Sequence, residues 1–278
     1  MNPILLASLI SLGGLGLVFG ALLAFASKIF SVKVDPRVEQ IAEILPNANC
    51  GACGYAGCTA FAEAVARGEA ATNLCIPGGA SVAHSIAEIM GVEAKEVTKR
   101  VAVVRCGGGK NEAVAKYVYE GLTDCHAAEL LGGGSKACKY GCLGLGSCVS
   151  ACPYDAIAMS DDGLPVVFEE KCIGCGLCAQ ACPRGIIEMI PITQKVYVAC
   201  VSHDRGKNVK AVCSVGCTGC TLCASPKFVP SGKVKIEDNL PTVSSDWEDF
   251  SAAVEKCPAK CFVVRFDNVT AGKQHAQN

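Results

Sequence analysis

The chain has 278 residues, with 25 Lys and Arg against 26 Asp and Glu, and it carries 21 cysteines. A net charge of −1 argues against a nucleic-acid-binding surface, and the length allows a membrane anchor with two or three small domains. An odd number of cysteines, grouped in C-x2-C runs, argues against a disulfide scaffold and for metal or redox chemistry inside a cell.

Residues 4–27, ILLASLISLGGLGLVFGALLAFAS, carry no charge. Their length suits a hydrocarbon core of about 30 Å. Lys28, Lys33 and Arg37 follow, so the positive-inside rule puts the rest of the chain in the cytoplasm. The expected placement is a single span in the cytoplasmic (inner) membrane. The alternative is a cleaved signal peptide, because Ala24-Phe25-Ala26 looks like a cleavage site. Met1-Asn2-Pro3 lacks the basic residue such a signal needs. Gly13, Gly16 and Gly20 give either a small-residue face for a partner helix or ordinary membrane-helix glycines.

Residues 35–46 are patterned as a short amphipathic helix with Val38, Ile41, Ile44 and Leu45 on one side, and Pro46 ends it. Then comes Cys50-x2-Cys53-x4-Cys58-x16-Cys75, with Gly51, Gly54 and Gly57 between the sulfurs. Glycine lets the backbone bend tightly around a bulky inorganic group. The helix TAFAEAVARGEA would point its positive end at a negatively charged cluster. We expect a [4Fe-4S] site here, with zinc as the alternative.

Residues 81–98 read as a helix, and 101–104 as a short strand leading to Cys106 and Gly107-Gly108-Gly109. A helix and Cys125 are expected next, then Gly132-Gly133-Gly134. A similar order returns as the strand-like run from Val196 to Cys200, a polar turn, Cys213 and a cysteine run, which suggests a weak internal repeat.

Between them lie Cys138-x3-Cys142-x5-Cys148-x3-Cys152-Pro153 and Cys172-x2-Cys175-x2-Cys178-x3-Cys182-Pro183. The second is the C-x2-C-x2-C-x3-C-P run of bacterial two-cluster ferredoxins, in which the last Cys ligates the other cluster. One cluster is therefore expected on Cys172, Cys175, Cys178 and Cys152, and another on Cys138, Cys142, Cys148 and Cys182. The x3 and x5 gaps of the first half imply a longer loop. Zinc ribbons or disulfides are the weaker alternatives, because zinc knuckles do not usually cross in this way.

In Cys217-x2-Cys220-x2-Cys223 the expected Cys-Pro is missing, since residue 227 is Lys. Cys257-Pro258 supplies a remote fourth ligand, and Cys213 could instead replace Cys223. A Pro-, Ser- and charge-rich insert, 224–249, separates them. Cys106, Cys125, Cys200 and Cys213 remain as a set that either forms a fifth cluster or stays unliganded, with Cys261 left over. His84, His126, His203 and His275 are scattered and read as non-ligands. Neither a Walker spacing nor a G-x-G-x-x-G turn is present, so no nicotinamide or flavin is expected on this chain.

The expected fold class is α+β: one N-terminal transmembrane helix (1–28), a small helical [4Fe-4S] module (29–98), and ferredoxin-like domains at 99–195 and 196–266. A flexible tail, 267–278, follows. At least four [4Fe-4S] clusters are expected, and cluster ligation should supply much of the folding free energy of such small modules.

The N-terminal span, CGACGYAGC with the distant Cys75, CKYGCLGLGSCVSACPYDAI with KCIGCGLCAQACP, VAVVRCGGG and VCSVGCTGCTLC together resemble the Rnf B-subunit family in the longer form of anaerobic bacteria. The resemblance covers nearly the whole chain. It implies a membrane-bound, ion-translocating ferredoxin:NAD oxidoreductase. In it this subunit takes electrons from soluble ferredoxin and passes them to partner subunits that bear flavin and move Na+ or H+. Beyond electron transfer, the subunit would have no substrate-transforming site. Lys227 departs from the pattern of longer relatives, in which the last pair has a second cluster. Chain order suggests a path from the C-terminal and central clusters toward the Cys50 cluster. A rival reading is a membrane-anchored polyferredoxin of another respiratory or corrinoid-activating system, because the Cys50 module also looks like that of corrinoid iron–sulfur proteins. A third is a zinc-stabilised interaction protein.

Overall fold

Uninterrupted apolar sequence makes α1 (Pro3–Ile29) one 27-residue helix. At about 1.5 Å per residue it is some 40 Å long, more than a bilayer core requires. In this computed structural model, which describes residues 3–29, 35–96 and 98–265, the window Ile10–Lys28 has a mean hydropathy of 2.0 and none of it is buried. The helix is thus long and apolar enough to cross a membrane. Gly13, Gly16 and Gly20 have nothing within 4 Å of where a side chain would start. Lys33 and the expected tail, 267–278, lie outside the described residues.

The next module is three helices closed on one small core. Pro36 starts α2 (Pro36–Ile44), and the Asp35 carboxylate caps it by accepting the Arg37 amide at 2.9 Å. Val38, Ile41 and Leu45 pack with Phe61 and Val65 of α3 (Cys58–Ala66) and Ile86 of α4 (Gly79–Met90). Each such side chain contributes about 1.5–3 kcal/mol by leaving water. The expected helix 81–98 is shorter at its C-terminal end. Gly91 turns left-handed at φ 66° and caps α4.

Two more modules repeat one plan. β1 (Arg100–Val104) pairs antiparallel with β4 (Ile187–Pro191), placing Val101 opposite Ile190. β5 (Val196–Val198) pairs antiparallel with β8 (Phe262–Val264). In each case the strand leading to a Cys pairs with the strand that follows the last cysteine of its module. Within the first sits the hairpin of β2 (Ile157–Met159) and β3 (Pro165–Val167). The helix expected before Cys125 is instead α5 (Cys125–Leu130), which starts at that cysteine. Asp124 is the residue able to cap it, and that decides the boundary. The single turns α6 (Ser147–Ser150) and α7 (Leu177–Gln180) each follow a left-handed glycine, Gly146 at φ 79° and Gly176 at φ 78°.

The C-terminal module adds α8 (Gly206–Lys210), a 3₁₀ turn (Leu222–Ala224), α9 (Ser251–Lys256) and a hairpin of β6 (Val234–Glu237) and β7 (Leu240–Val243). The hairpin lies in the 224–249 insert and turns at Asp238 and Asn239, both at positive φ. Trp247 from the same insert is 2% exposed and meets Phe250 and Phe262 edge-on. Arg265 ties this module to the central one. Its guanidinium donates to Glu169 and to the carbonyls of Pro191, Ile192 and Gln194.

Candidate metal centres

All 21 cysteines are free thiols, and they gather into five groups. Cys50, Cys53, Cys58 and Cys75 ring a cavity of about 320 Å³ floored by Leu45, Phe61 and Pro77. Gly51 and Gly54 take left-handed φ of 69° and 88°, which lets the loop curl around that space. Asn49 Oδ1 accepts the Cys58 amide at 2.9 Å, and a Cβ on Gly57 would come within 2.8 Å of that oxygen.

Cys152 and Cys172 lie close enough to Cys175, and Cys172 and Cys175 close enough to Cys178, to perturb its ionisation. Burial pushes the Cys178 thiol up to about 12. The Leu177 and Ala179 amides point at the Cys175 and Cys178 sulfurs.

A cavity of about 370 Å³ beside α6 is lined by Cys142, Cys148 and Cys182, as the crossed motif anticipates, but its fourth sulfur is Cys125. Here the structure departs from the expected set, because Cys138 lies in a different cavity. The cause is local. The Ser147 hydroxyl and the Asp124 carboxylate hold the start of α5, where Cys125 sits, against the start of α6, where Cys148 sits. The irregular x3 and x5 gaps around Cys142 were the one signal in the sequence that pointed this way. Burial pushes Cys142 to about 12 and Cys148 to about 11.

Cys217, Cys220, Cys223 and Cys257 line a cavity of about 360 Å³. Cys223 is in this group and Cys213 is not. Cys261 lines it too, its sulfur 3.6 Å from that of Cys257. Hydrogen bonding from the Cys261 thiol holds Cys257 down to about 6. Burial pushes Cys223 to about 12. Of the 21 cysteines, Cys220 is the exposed one.

The remaining four, Cys106, Cys138, Cys200 and Cys213, line a cavity of about 420 Å³ at the junction of the central and C-terminal modules. The expected quartet of Cys106, Cys125, Cys200 and Cys213 is therefore not brought together; Cys138 stands where Cys125 was anticipated. Burial pushes the Cys200 thiol up to about 11.

Neighbouring groups touch. Burial raises the Tyr154 phenol, and the neighbouring Cys50 and Cys175 sulfurs raise it further, so this side chain lies between the two groups. Cys178 feels Cys148. The Cys142 amide donates to Cys106 Sγ at 3.3 Å, and the Cys217 amide to Cys200 Sγ at 3.3 Å. The five groups thus form a file from the Cys50 module to Cys220.

Among the described residues, no three Cys, His, Asp or Glu side chains converge closely enough to hold a single metal ion. A structural zinc would draw four sulfurs to about 2.3 Å of one point. Cavities ringed by four cysteines, walled by glycine and served by backbone N–H donors, fit a thiolate-bound cluster. Positive iron would also replace the protons that burial otherwise holds on these sulfurs. His126 and His203 bond the carbonyls of Ala181 and Asp238 and take no part.

Residues 45–77 match the family model "Putative Fe-S cluster", and residues 138–189 match "4Fe-4S dicluster domain". The chain is 42% identical over 266 residues, 95% of its length and 100% of the relative's, to the B component of the "Ion-translocating oxidoreductase complex" of Methanosarcina acetivorans. It is 45% identical over 94% of its length, and 91% of the relative's, to the B component of the "Proton-translocating ferredoxin:NAD(+) oxidoreductase complex" of Clostridium ljungdahlii. With the B component of the "Na(+)-translocating ferredoxin:NAD(+) oxidoreductase complex" of Acetobacterium woodii the identity is 43%, over 90% of this chain and 75% of that one. The chain belongs to the family of B subunits of ion-translocating ferredoxin:NAD(+) oxidoreductase (Rnf) complexes.

Proposed function

We propose that the chain is the electron-relay subunit of a membrane complex coupling electron transfer from reduced ferredoxin to NAD+ with translocation of Na+ or H+. The file of adjoining cysteine groups carries this reading. Bound [4Fe-4S] clusters supply one-electron transfer between neighbouring sites, at potentials set by burial and by hydrogen bonds to sulfur.

The chain's own residues hold, insulate and tune. Cys50, Cys53, Cys58 and Cys75 would hold one cluster, and Cys152, Cys172, Cys175 and Cys178 a second. Cys142, Cys148 and Cys182 would give three ligands to a third, and Cys217, Cys220, Cys223 and Cys257 would hold a fourth. Apolar walls such as Phe61, Ile186 and Phe262 keep water from the sulfurs. The exposed Cys220 suits the Cys217 site to be the end that meets soluble ferredoxin. The Cys50 module, which follows the apolar helix in the chain, suits the membrane end. We assign a single span, with the cysteine modules on the cytoplasmic side and flavin-bearing subunits as membrane partners.

The test is anaerobic titration of the purified complex with reduced ferredoxin, followed by electron paramagnetic resonance. Reduction of the Cys50 signal should fail in a Cys178→Ser variant and persist in wild type. Full reduction of the Cys50 signal in that variant overturns the order. Copurification with a corrinoid protein in place of flavin-bearing subunits would favour the rival system.

A further inference from the structure

We propose that Cys106, Cys138, Cys200 and Cys213 hold a further four-iron cluster between the central and C-terminal modules, so that Cys125 completes the Cys142, Cys148 and Cys182 set. The inference rests on the reading that the other groups carry clusters.

Four sulfurs from separate segments face one cavity, as the four sulfurs of the Cys50 group do. The walls leave room where side chains would stand. A Cβ on Gly108 would lie 3.2 Å from Cys213 Sγ, and one on Gly141 3.5 Å from Cys138 Sγ. Gly107 and Gly108 of the glycine triplet, unassigned by any motif, are therefore part of this wall.

Backbone donors point at the sulfurs as thiolates require. Cys200 Sγ accepts from the Ser202 amide at 3.4 Å and the Cys217 amide at 3.3 Å, and Cys106 Sγ accepts from the Cys142 amide at 3.3 Å. Charge is balanced as well. The buried Lys136 lines the cavity with its Nζ on the Gly108 carbonyl at 2.6 Å, whereas Arg105, also in the wall, is already paired with Glu188. A lysine is rarely buried without a negative partner, and four thiolates on an iron–sulfur core supply one.

The repeat explains the geometry. β1 runs into Cys106 and β5 into Cys200, and the two strand ends are joined by the Gly107 amide on the Ala199 carbonyl at 3.0 Å. Each module thus contributes its strand-led cysteine to one shared site. The same site fills the gap in the file between the Cys142 and Cys217 groups.

The experiment uses the full chain, prepared anaerobically, with iron and sulfide quantified and clusters resolved by paramagnetic resonance. Wild type should hold five clusters. Cys200→Ala and Cys138→Ala should each remove the same spectral component, and the double variant should lose no more than either single. Cys125→Ala should remove the component that Cys148→Ala removes. The proposal is overturned if Cys200→Ala leaves iron unchanged, or if Cys138→Ala erases the Cys148 component. Should the variants not accumulate, wild-type stoichiometry decides: five clusters support the site, and four refute it. Protein without any iron would instead refute the relay reading as a whole.

Discussion

The hydroxyl of Ser147 donates to the carboxylate of Asp124 at 2.9 Å, and the same oxygen accepts the Cys125 amide at 2.8 Å. Asp124 also caps α5 through the Ala127 amide at 2.8 Å. One carboxylate therefore holds Cys125 in place across from Cys148. In Asp124→Ala the Cys148 component should lose most of its amplitude while the Cys172 component keeps its own. Equal loss of both would show that Asp124 serves general folding instead.

Arg265 joins the two ferredoxin-like modules, with its side chain 1% exposed and the Glu169 side chain 29% exposed. Removing one partner of a fully buried pair costs about 3–5 kcal/mol, and the partly exposed Glu169 puts the cost here below that range. Arg265→Met should lower the urea midpoint and release the C-terminal module to limited proteolysis before the rest. A midpoint within error of wild type would mean that the pair contributes nothing net.

The Tyr154 phenol lies beside the Cys50 sulfur, where a bound cluster would give it an acceptor. A donor to sulfur favours the reduced, more negative cluster. Tyr154→Phe should therefore leave iron content unchanged and lower the potential of the Cys50 cluster, read by redox titration. A rise, or loss of iron, would contradict this.

Lys136 lines the junction cavity with its Nζ on the Gly108 carbonyl. Lys136→Met should lower the potential of the cluster held there by about 59 mV, a tenfold change in a one-electron equilibrium. An unchanged potential, with the cluster present, would place the charge elsewhere.

Cys220 is exposed whereas Cys178 and Cys148 are buried. Under a chelator or air the Cys217 cluster should be lost first, followed by the central ones. Because ligation contributes to folding, complete removal of iron should collapse the cooperative thermal transition. An apoprotein that melts like the native form would show that the apolar cores suffice.

Much of this was legible from residue types alone. Cys50-x2-Cys53-x4-Cys58 keeps its sulfurs within one loop, so local spacing and glycine freedom are enough to place them. The run from Cys172 to Cys182 is likewise self-contained except for its crossed partner. The end of α4 at Gly91 is not legible from residue types, because the polar stretch beyond it keeps helical composition while the glycine adopts a left-handed conformation.

By itself the amino-acid order determined the chemistry, the apolar helix and the short-range cysteine sets, because spacing constrains what a few residues of backbone can reach. The partnership of Cys138 with Cys200 and Cys213 was decided only by tertiary structure. Loops of such length close at nearly equal entropic cost for many partners, so which sulfurs meet depends on strand pairing and on contacts such as Ser147 with Asp124.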